Sequence, residues 1–269
     1  MPEQVPRIGT KELNDWKYHS YALLCEEIMA LFVGDEIPRS DLRPLMTKCF
    51  GNFSHDSVVP LTQLEGVDEE VWVAELFHGP SLSFKDFGQQ VLCNLLDYFA
   101  RRKGRKVSLL VSTTGDTGPA AICASAGLSS LQLVVTYPLG QISRVQELQM
   151  TTETAENVYV FAFEGGGDDM DGPIKALNTD TAFQQQHGLS SVNSINIGRV
   201  VAQTVHYFWC YLRAMEKKNL EVGASLQFSL PCGALGNASA ALLAKRMGLP
   251  VSNRAKHAEA QSLCGTVLV

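Results

Sequence analysis

The sequence is short of several things, and each shortage removes a class of function. Its 269 residues hold no uncharged apolar run long enough to span a bilayer, so no transmembrane helix is expected. There is no basic excess. A formal net charge of -6 and a pI near 5.5 argue against a general affinity for nucleic acid or anionic lipid. The seven cysteines are odd in number and scattered, with no CxxC pair, which suits reduced thiols in an intracellular protein. The start, M-P-E-Q-V-P-R-I-G, lacks both the apolar core of a signal peptide and the Arg/Ser-rich character of a transit peptide. Internal repeats and low-complexity segments are missing too. What remains is a chain with 45% hydrophobic and 19% charged residues, enough for one large core or two modest domains. The expectation is a soluble, cytoplasmic protein whose partners are small molecules rather than nucleic acids or membranes.

Residues 11 to 50 place apolar side chains at helical spacing, among them Leu23, Leu24, Ile28, Leu31 and Phe32. Gly34 closes one such segment and Ser40-Asp41 opens another. From Val71 the pattern changes to short apolar runs, glycine-bearing loops and amphipathic segments in alternation. Strands are predicted at Val107 to Val111, Leu131 to Thr136, Val158 to Phe163 and Ser225 to Leu230, each followed by a loop and a helix-period segment. Strand-loop-helix units imply parallel strands with crossover helices, hence an α/β fold with a doubly wound, mostly parallel sheet. Ligands of such sheets bind at the carboxyl ends of the strands. The basic run Arg101-Arg102-Lys103-Gly104-Arg105-Lys106 follows a helix-period segment and reads as a helix end with favourable dipole charges and a glycine stop, or as a phosphate patch.

Three loops carry the chemistry. In E-L-F-H-G-P-S-L-S-F-K-D-F-G, Glu75 to Gly88, Gly79-Pro80 makes a turn and Ser83 with Asp86 fits a capping box. Lys85 then falls in the first turn of a helix, where the helix dipole and the flanking Phe84 and Phe87 favour a neutral amine. Such an amine is a competent nucleophile toward an aldehyde; an exposed lysine that tolerates its position is the other reading. The second loop, Ser112-Thr113-Thr114-Gly115-Asp116-Thr117-Gly118, follows a strand, with Pro119 suited to open a helix. Its hydroxyls and backbone amides fit an anion such as a carboxylate, or an ordinary turn. The third, Pro231-Cys232-Gly233-Ala234-Leu235-Gly236-Asn237, lets backbone amides approach a phosphate at a helix start, but lacks the lysine of a Walker loop and the dinucleotide fingerprint.

Other candidates read as structure. His206 and Cys210 stand four apart on a segment dense in Val, Phe, Trp and Tyr, which favours core over metal. Asp168, Asp169 and Asp171 after the triple glycine read as helix-start carboxylates rather than a cation site.

Taken in order, these segments resemble the threonine synthase family, pyridoxal-phosphate enzymes of the tryptophan-synthase-β type fold (fold type II). The resemblance rests on Phe32 to Pro38 (F-V-G-D-E-I-P), Glu75 to Gly88, Gly115-Asp116-Thr117-Gly118, Ser194 to Arg199 with Ala202-Gln203, and the glycine loop leading to Lys245 to Pro250. It covers nearly all of residues 1 to 250 and implies three regions. These are a helical N-terminal domain over 1–70, a partial cofactor-binding α/β region over 71–250 and a divergent tail over 251–269.

The resemblance also implies roles. Lys85 would hold pyridoxal 5'-phosphate as a Schiff base and later move protons. The loop with Ser112, Thr113, Thr114, Asp116 and Thr117 would hold the amino-acid carboxylate and the cofactor face. Gly233, Ala234, Leu235, Gly236 and Asn237 would cradle the cofactor phosphate; Asn193, Asn196 and Arg199 would meet the phosphate of the substrate. No metal is implied. The implied reaction converts O-phosphohomoserine and water to threonine and phosphate.

The chain departs from the family at three places. Its glycine loop reads P-C-G-A-L-G-N where the family usually has P-(S/T)-G-N-F-G-D. That is closer to the threonine-synthase-like proteins of animals, phospho-lyases that release a 2-oxo acid. M-P-E resembles the inside of the family's G-L-(F/Y)-x-P-E segment, and after Leu249-Pro250 the family continues with further strands and the hydroxyl residue that faces the pyridine nitrogen. The expectation is therefore a truncated family member: a threonine synthase, a phospho-lyase, or an inactive form acting through interactions.

Overall fold

A computed structural model describes residues 4–66, 70–193, 196–231, 235–252 and 266–268. The chain divides into two compact units, one of Met1–His78 with Val200–Val269, the other Gly79–Arg199.

The first unit opens with three helices, α1 (Thr10–Asp15), α2 (Tyr21–Val33) and α3 (Arg39–Phe50). Ser20 caps α2 by accepting from the Leu23 amide, and Gly34 ends it at a φ of +51°, a conformation glycine adopts without strain. The expected opening of α3 at Ser40-Asp41 is corrected slightly: Pro38 is the N-cap and Arg39 the first helical residue. A two-stranded antiparallel ribbon, β1 (Leu61–Leu64) with β2 (Val71–Ala74), lies outside the alternating pattern read from the sequence. Tyr21 packs edge-on against both Phe50 and Trp209, and the Trp209 indole donates to the Val59 carbonyl at 2.7 Å.

The second unit holds a four-stranded parallel sheet. Its strands are β3 (Val107–Ser112), β4 (Leu131–Pro138), β5 (Val158–Phe163) and β6 (Leu189–Ser190), in the spatial order β5-β4-β3-β6. Three of the four predicted strands are found here, and all neighbours are parallel. Around them run α4 (Lys85–Arg102), α5 (Thr117–Ser125), α6 (Arg144–Thr151), α7 (Asp171–Thr179) and α8 (Thr181–His187). The core joins Leu92 of α4, Ile122 of α5 and Met150 of α6 to Leu109, Val111, Leu131, Leu133 and Val135 of the central strands. Asp171 is the first residue of α7, whereas Asp168 and Asp169, read with it as helix-start carboxylates, precede the helix, and Asp169 accepts from the Gly166 amide.

Two predictions are corrected. Strand β6, only two residues long, carries too little apolar pattern to be seen in the sequence. Ser225 to Leu230 does not extend the parallel sheet. Leu226 makes an isolated bridge to Val251, and the strand proper, β7 (Ser229–Pro231), pairs antiparallel with β8 (Thr266–Leu268). Only Leu230 of β7 is buried, whereas an interior parallel strand needs both faces covered. The helices α9 (Ile197–Lys217) and α10 (Gly236–Met247) complete the described elements.

Candidate active site

Lys85 is the first residue of α4 and is half-buried. The capping box expected around it does not form. Phe84, not Ser83, is the N-cap, and no side chain caps the helix. The Asp86 carboxylate turns back instead, accepting from the Ser81 amide at 2.9 Å, while Ser83 Oγ lies 3.2 Å from Ser81 Oγ. Gly79 makes this possible, since a Cβ there would come within 2.6 Å of the Asp86 Cβ. The Gly-Pro turn is thus folded onto Asp86. Burial raises the Asp86 carboxyl to about 6, against the lowering effect of its hydrogen bonds from Ser81 and Ser83, with the charge of Asp116 adding to the rise.

The two phenylalanines beside Lys85 act differently. Phe87 is fully buried, whereas the Phe84 ring centroid lies 4.6 Å from Lys85 Nζ. A ring face at that distance attracts an ammonium as well as removing water from it.

The hydroxyl loop closes on one side chain. Thr113 Oγ1 accepts from the amides of Gly115 and Gly118, each at 3.1 Å, and donates to the Gly115 carbonyl. Thr113 is buried, Ser112 and Thr117 are half-buried, and Thr114 and Asp116 are exposed. Helix α5 begins at Thr117 with Asp116 as N-cap, two residues before the start expected at Pro119. Proline is accommodated at the third helical position because amides of the first turn have no intrahelical acceptor.

Sequence reasoning missed the element that joins these loops. Two glutamines one turn apart on α6 reach both: Gln146 Nε2 donates to Asp116 Oδ1 at 2.7 Å, and Gln149 Nε2 donates to the Ser81 carbonyl at 3.1 Å. Gln149 stands 68 residues from Ser81, so no local signal could have revealed the link.

The expected phosphate residues in this unit are held unequally. Asn196 Nδ2 donates to the Ser191 carbonyl and its Oδ1 accepts from the Gly198 amide, so its amide is spent on the entry to α9. Arg199 is only 2% exposed. Its Nη1 donates to the Val192 carbonyl at 3.2 Å, and burial lowers it to about 10. Arg199 Nε and Asn193 Oδ1 are buried without a partner among the described residues. A buried guanidinium with an unused N–H fits an anion well.

Of the glycine loop, Gly233 and Ala234 lie outside the described residues. Leu235 is exposed and sits left-handed at a φ of +57° as the N-cap of α10, with Gly236 its first residue. Asn237 is buried, and its side chain faces inward to α9. Tyr207 Oη donates to Asn237 Oδ1 at 2.7 Å, and His206 Nε2 lies 3.1 Å from the same oxygen. Burial lowers His206 to about 4, so the ring is neutral near pH 7. His206, read as core, is core, and it also meets the first turn of α10 at Asn237. What the turn leaves for a phosphate is the backbone amides at the start of a twelve-residue helix. Within the other unit, the half-buried amine of Lys85 suits an aldehyde and the unused N–H of Arg199 suits an anion.

The family model described as the threonine synthase N terminus matches residues 1–50. Threonine synthase of Pseudomonas aeruginosa is 39% identical over 255 residues, covering 94% of this chain and 52% of that protein. Over nearly its whole length the chain is similar to threonine synthases. Threonine synthase-like 2 of Rattus norvegicus is 42% identical over 254 residues, again 94% of this chain and 52% of that protein. In structure, threonine synthase from yeast superposes with a TM-score of 0.85 at 35% identity, covering 93% of this chain and 50% of that one. A pyridoxal-phosphate-bound threonine synthase from Brucella melitensis gives 0.83 at 35% identity, covering 93% and 52%. The chain spans about half the length of the curated relatives it matches.

Proposed function

We propose that this chain binds pyridoxal 5'-phosphate through Lys85 and acts on O-phosphohomoserine, forming threonine and phosphate. The observation that carries this reading is the placement of Lys85. It opens α4 on a turn clamped by Asp86, which Gln149 and Gln146 of α6 link to the hydroxyl loop.

The cofactor, when bound, supplies an electron sink for the charge left at a deprotonated α carbon. Lys85 Nζ would hold the cofactor in the resting protein and, once a free amine again, would be the base that takes the proton first from Cα and then from Cβ of the substrate. The Cγ–O bond breaks, phosphate leaves with the electron pair, water adds its oxygen at Cβ, and protons return at Cα and Cγ. Ser112, Thr113, Thr114, Asp116 and Thr117 form the turn assigned to the amino-acid carboxylate. Gly233, Ala234, Leu235, Gly236 and Asn237 would cradle the cofactor phosphate through their backbone amides. Asn193 and Arg199 are assigned to the substrate phosphate, with Asn196 holding the turn between them.

A second reading is a phospho-lyase that releases 2-oxobutyrate, ammonia and phosphate from the same substrate. It is favoured by the loop sequence P-C-G-A-L-G-N and by the likeness to the threonine synthase-like 2 proteins. The test is to supply the purified chain with pyridoxal phosphate and O-phosphohomoserine, follow phosphate release and identify the carbon product. Threonine supports the first reading and 2-oxobutyrate the second. No phosphate release overturns both for this chain and leaves the form that acts through interactions.

A further inference from the structure

We propose that the amino-terminal edge of the parallel sheet carries a second binding site, for a nucleotide-sized phosphate ester. A cavity of about 400 Å3 opens there, bounded by the end of α4, the start of β3 and the α8–β6 turn. It lies at the opposite end of β3 from the hydroxyl loop. Its volume is within the range of small-molecule sites.

The charge of the cavity is unlike that of the chain. Lys103, Arg105 and Lys106 line it, and no carboxylate does, in a protein of net charge -6. None of the three cations forms an ion pair among the described residues, whereas nearby Arg101 is engaged with Asp97. Nor are they needed to close α4. The last carbonyls of that helix are already met by backbone: Lys103 N–H bonds to Phe99 and Ala100, Gly104 N–H to Arg101 and Arg105 N–H to Ala100. The dipole-compensating charges, Arg101 and Arg102, lie within the last helical turn. Three further cations stand beyond it on a wall shared with Phe99.

The two walls are pinned together. Gly188 is left-handed at a φ of +58°, its carbonyl accepts from Ser108, and a Cβ on it would meet the Lys106 carbonyl at 2.6 Å. This holds α8, with Gln185, against the basic segment. Phe99 is half-buried and offers apolar surface on one side; Gln185 offers an amide on the other; the cations offer a grip for a multiply charged phosphate. That combination suits a phosphate ester with a flat, partly apolar body and does not depend on what happens at Lys85.

Titration calorimetry of the whole chain with ADP and with inorganic pyrophosphate tests this. Both probes bind saturably at low ionic strength. Replacing all three of Lys103, Arg105 and Lys106 by alanine weakens both about tenfold or more, since each exposed ion pair is worth up to about fivefold. Lys11→Ala, an exposed lysine elsewhere, changes neither. Phe99→Ala weakens ADP by about threefold or more and leaves pyrophosphate unchanged. Gln185→Ala, on the exposed side of α8, weakens ADP with no burden on folding. Absence of saturable binding, an unaffected triple variant, an equal loss in Lys11→Ala, or ADP binding indifferent to both Phe99→Ala and Gln185→Ala would each overturn the proposal.

Discussion

Two of the helix starts that follow strands, those of α5 and α10, are held in opposite ways. The turn after β3 holds itself, with Thr113 bonded to groups two and five residues along. The start of α10 is held from a distance, with Asn237 bonded to His206 and Tyr207, 31 and 30 residues away. Local closure gives a loop whose shape its own sequence specifies. Distant closure makes the placement of the α10 start a property of its packing on α9. A buried titratable group is tied to each, His206 by its contact with Asn237 and Asp86 by the charge of Asp116, and the two respond oppositely to acid.

The comparison can be broken most severely at the clamp near Lys85. Gly79→Ala drives a methyl group into the Asp86 side chain and is expected to destabilise the chain by about 3 kcal/mol, read as a shift in the urea midpoint. Thr113→Val leaves the amides of Gly115 and Gly118 without their acceptor. A loss of about 3 kcal/mol follows, with faster hydrogen exchange confined to those two amides.

The titrating groups separate the two turns next. His206 sits at about 4 when folded and near 6.5 otherwise, so its contribution is complete above 6.5 and is lost as the pH falls toward 4. Asp86 sits at about 6 when folded and near 3.8 otherwise, so its charged form destabilises above 6 and is relieved as the pH falls toward 3.8. Each effect is of order 3 kcal/mol. In urea midpoints from pH 7 to 4, Asp86→Asn should steepen the acid-side loss of stability and His206→Gln should flatten it.

The smallest effects are expected where single hydrogen bonds are removed. Tyr207→Phe deletes the Asn237 contact for about 1 kcal/mol, with exchange quickening at the start of α10. Gln149→Ala costs about 1 kcal/mol or less and loosens the Ser81 turn.

What could be read from the sequence follows the same division. Strands β3, β4 and β5 were legible because their apolar runs are long and bounded by turns. Strand β6 was not, because two residues carry no pattern. Lys85 was placed correctly in the first turn of its helix, yet the role of Asp86 was misread, because capping is a local motif and its contact with Ser81 is a tertiary alternative to it. Gln146 and Gln149 look like ordinary surface residues of α6 until the loops they hold are brought to them. Arg199 was named only through the family resemblance, while its burial and its spare N–H are visible only in the folded chain.

The central claim is that Lys85 is the cofactor-anchoring lysine. The most direct measurement is to mix the purified chain with pyridoxal phosphate, reduce with borohydride and locate the adduct by peptide mass spectrometry. One pyridoxyl group on Lys85, absent from Lys85→Ala, is the predicted result. No adduct at Lys85, or equal labelling of the Lys85→Ala chain, would contradict it.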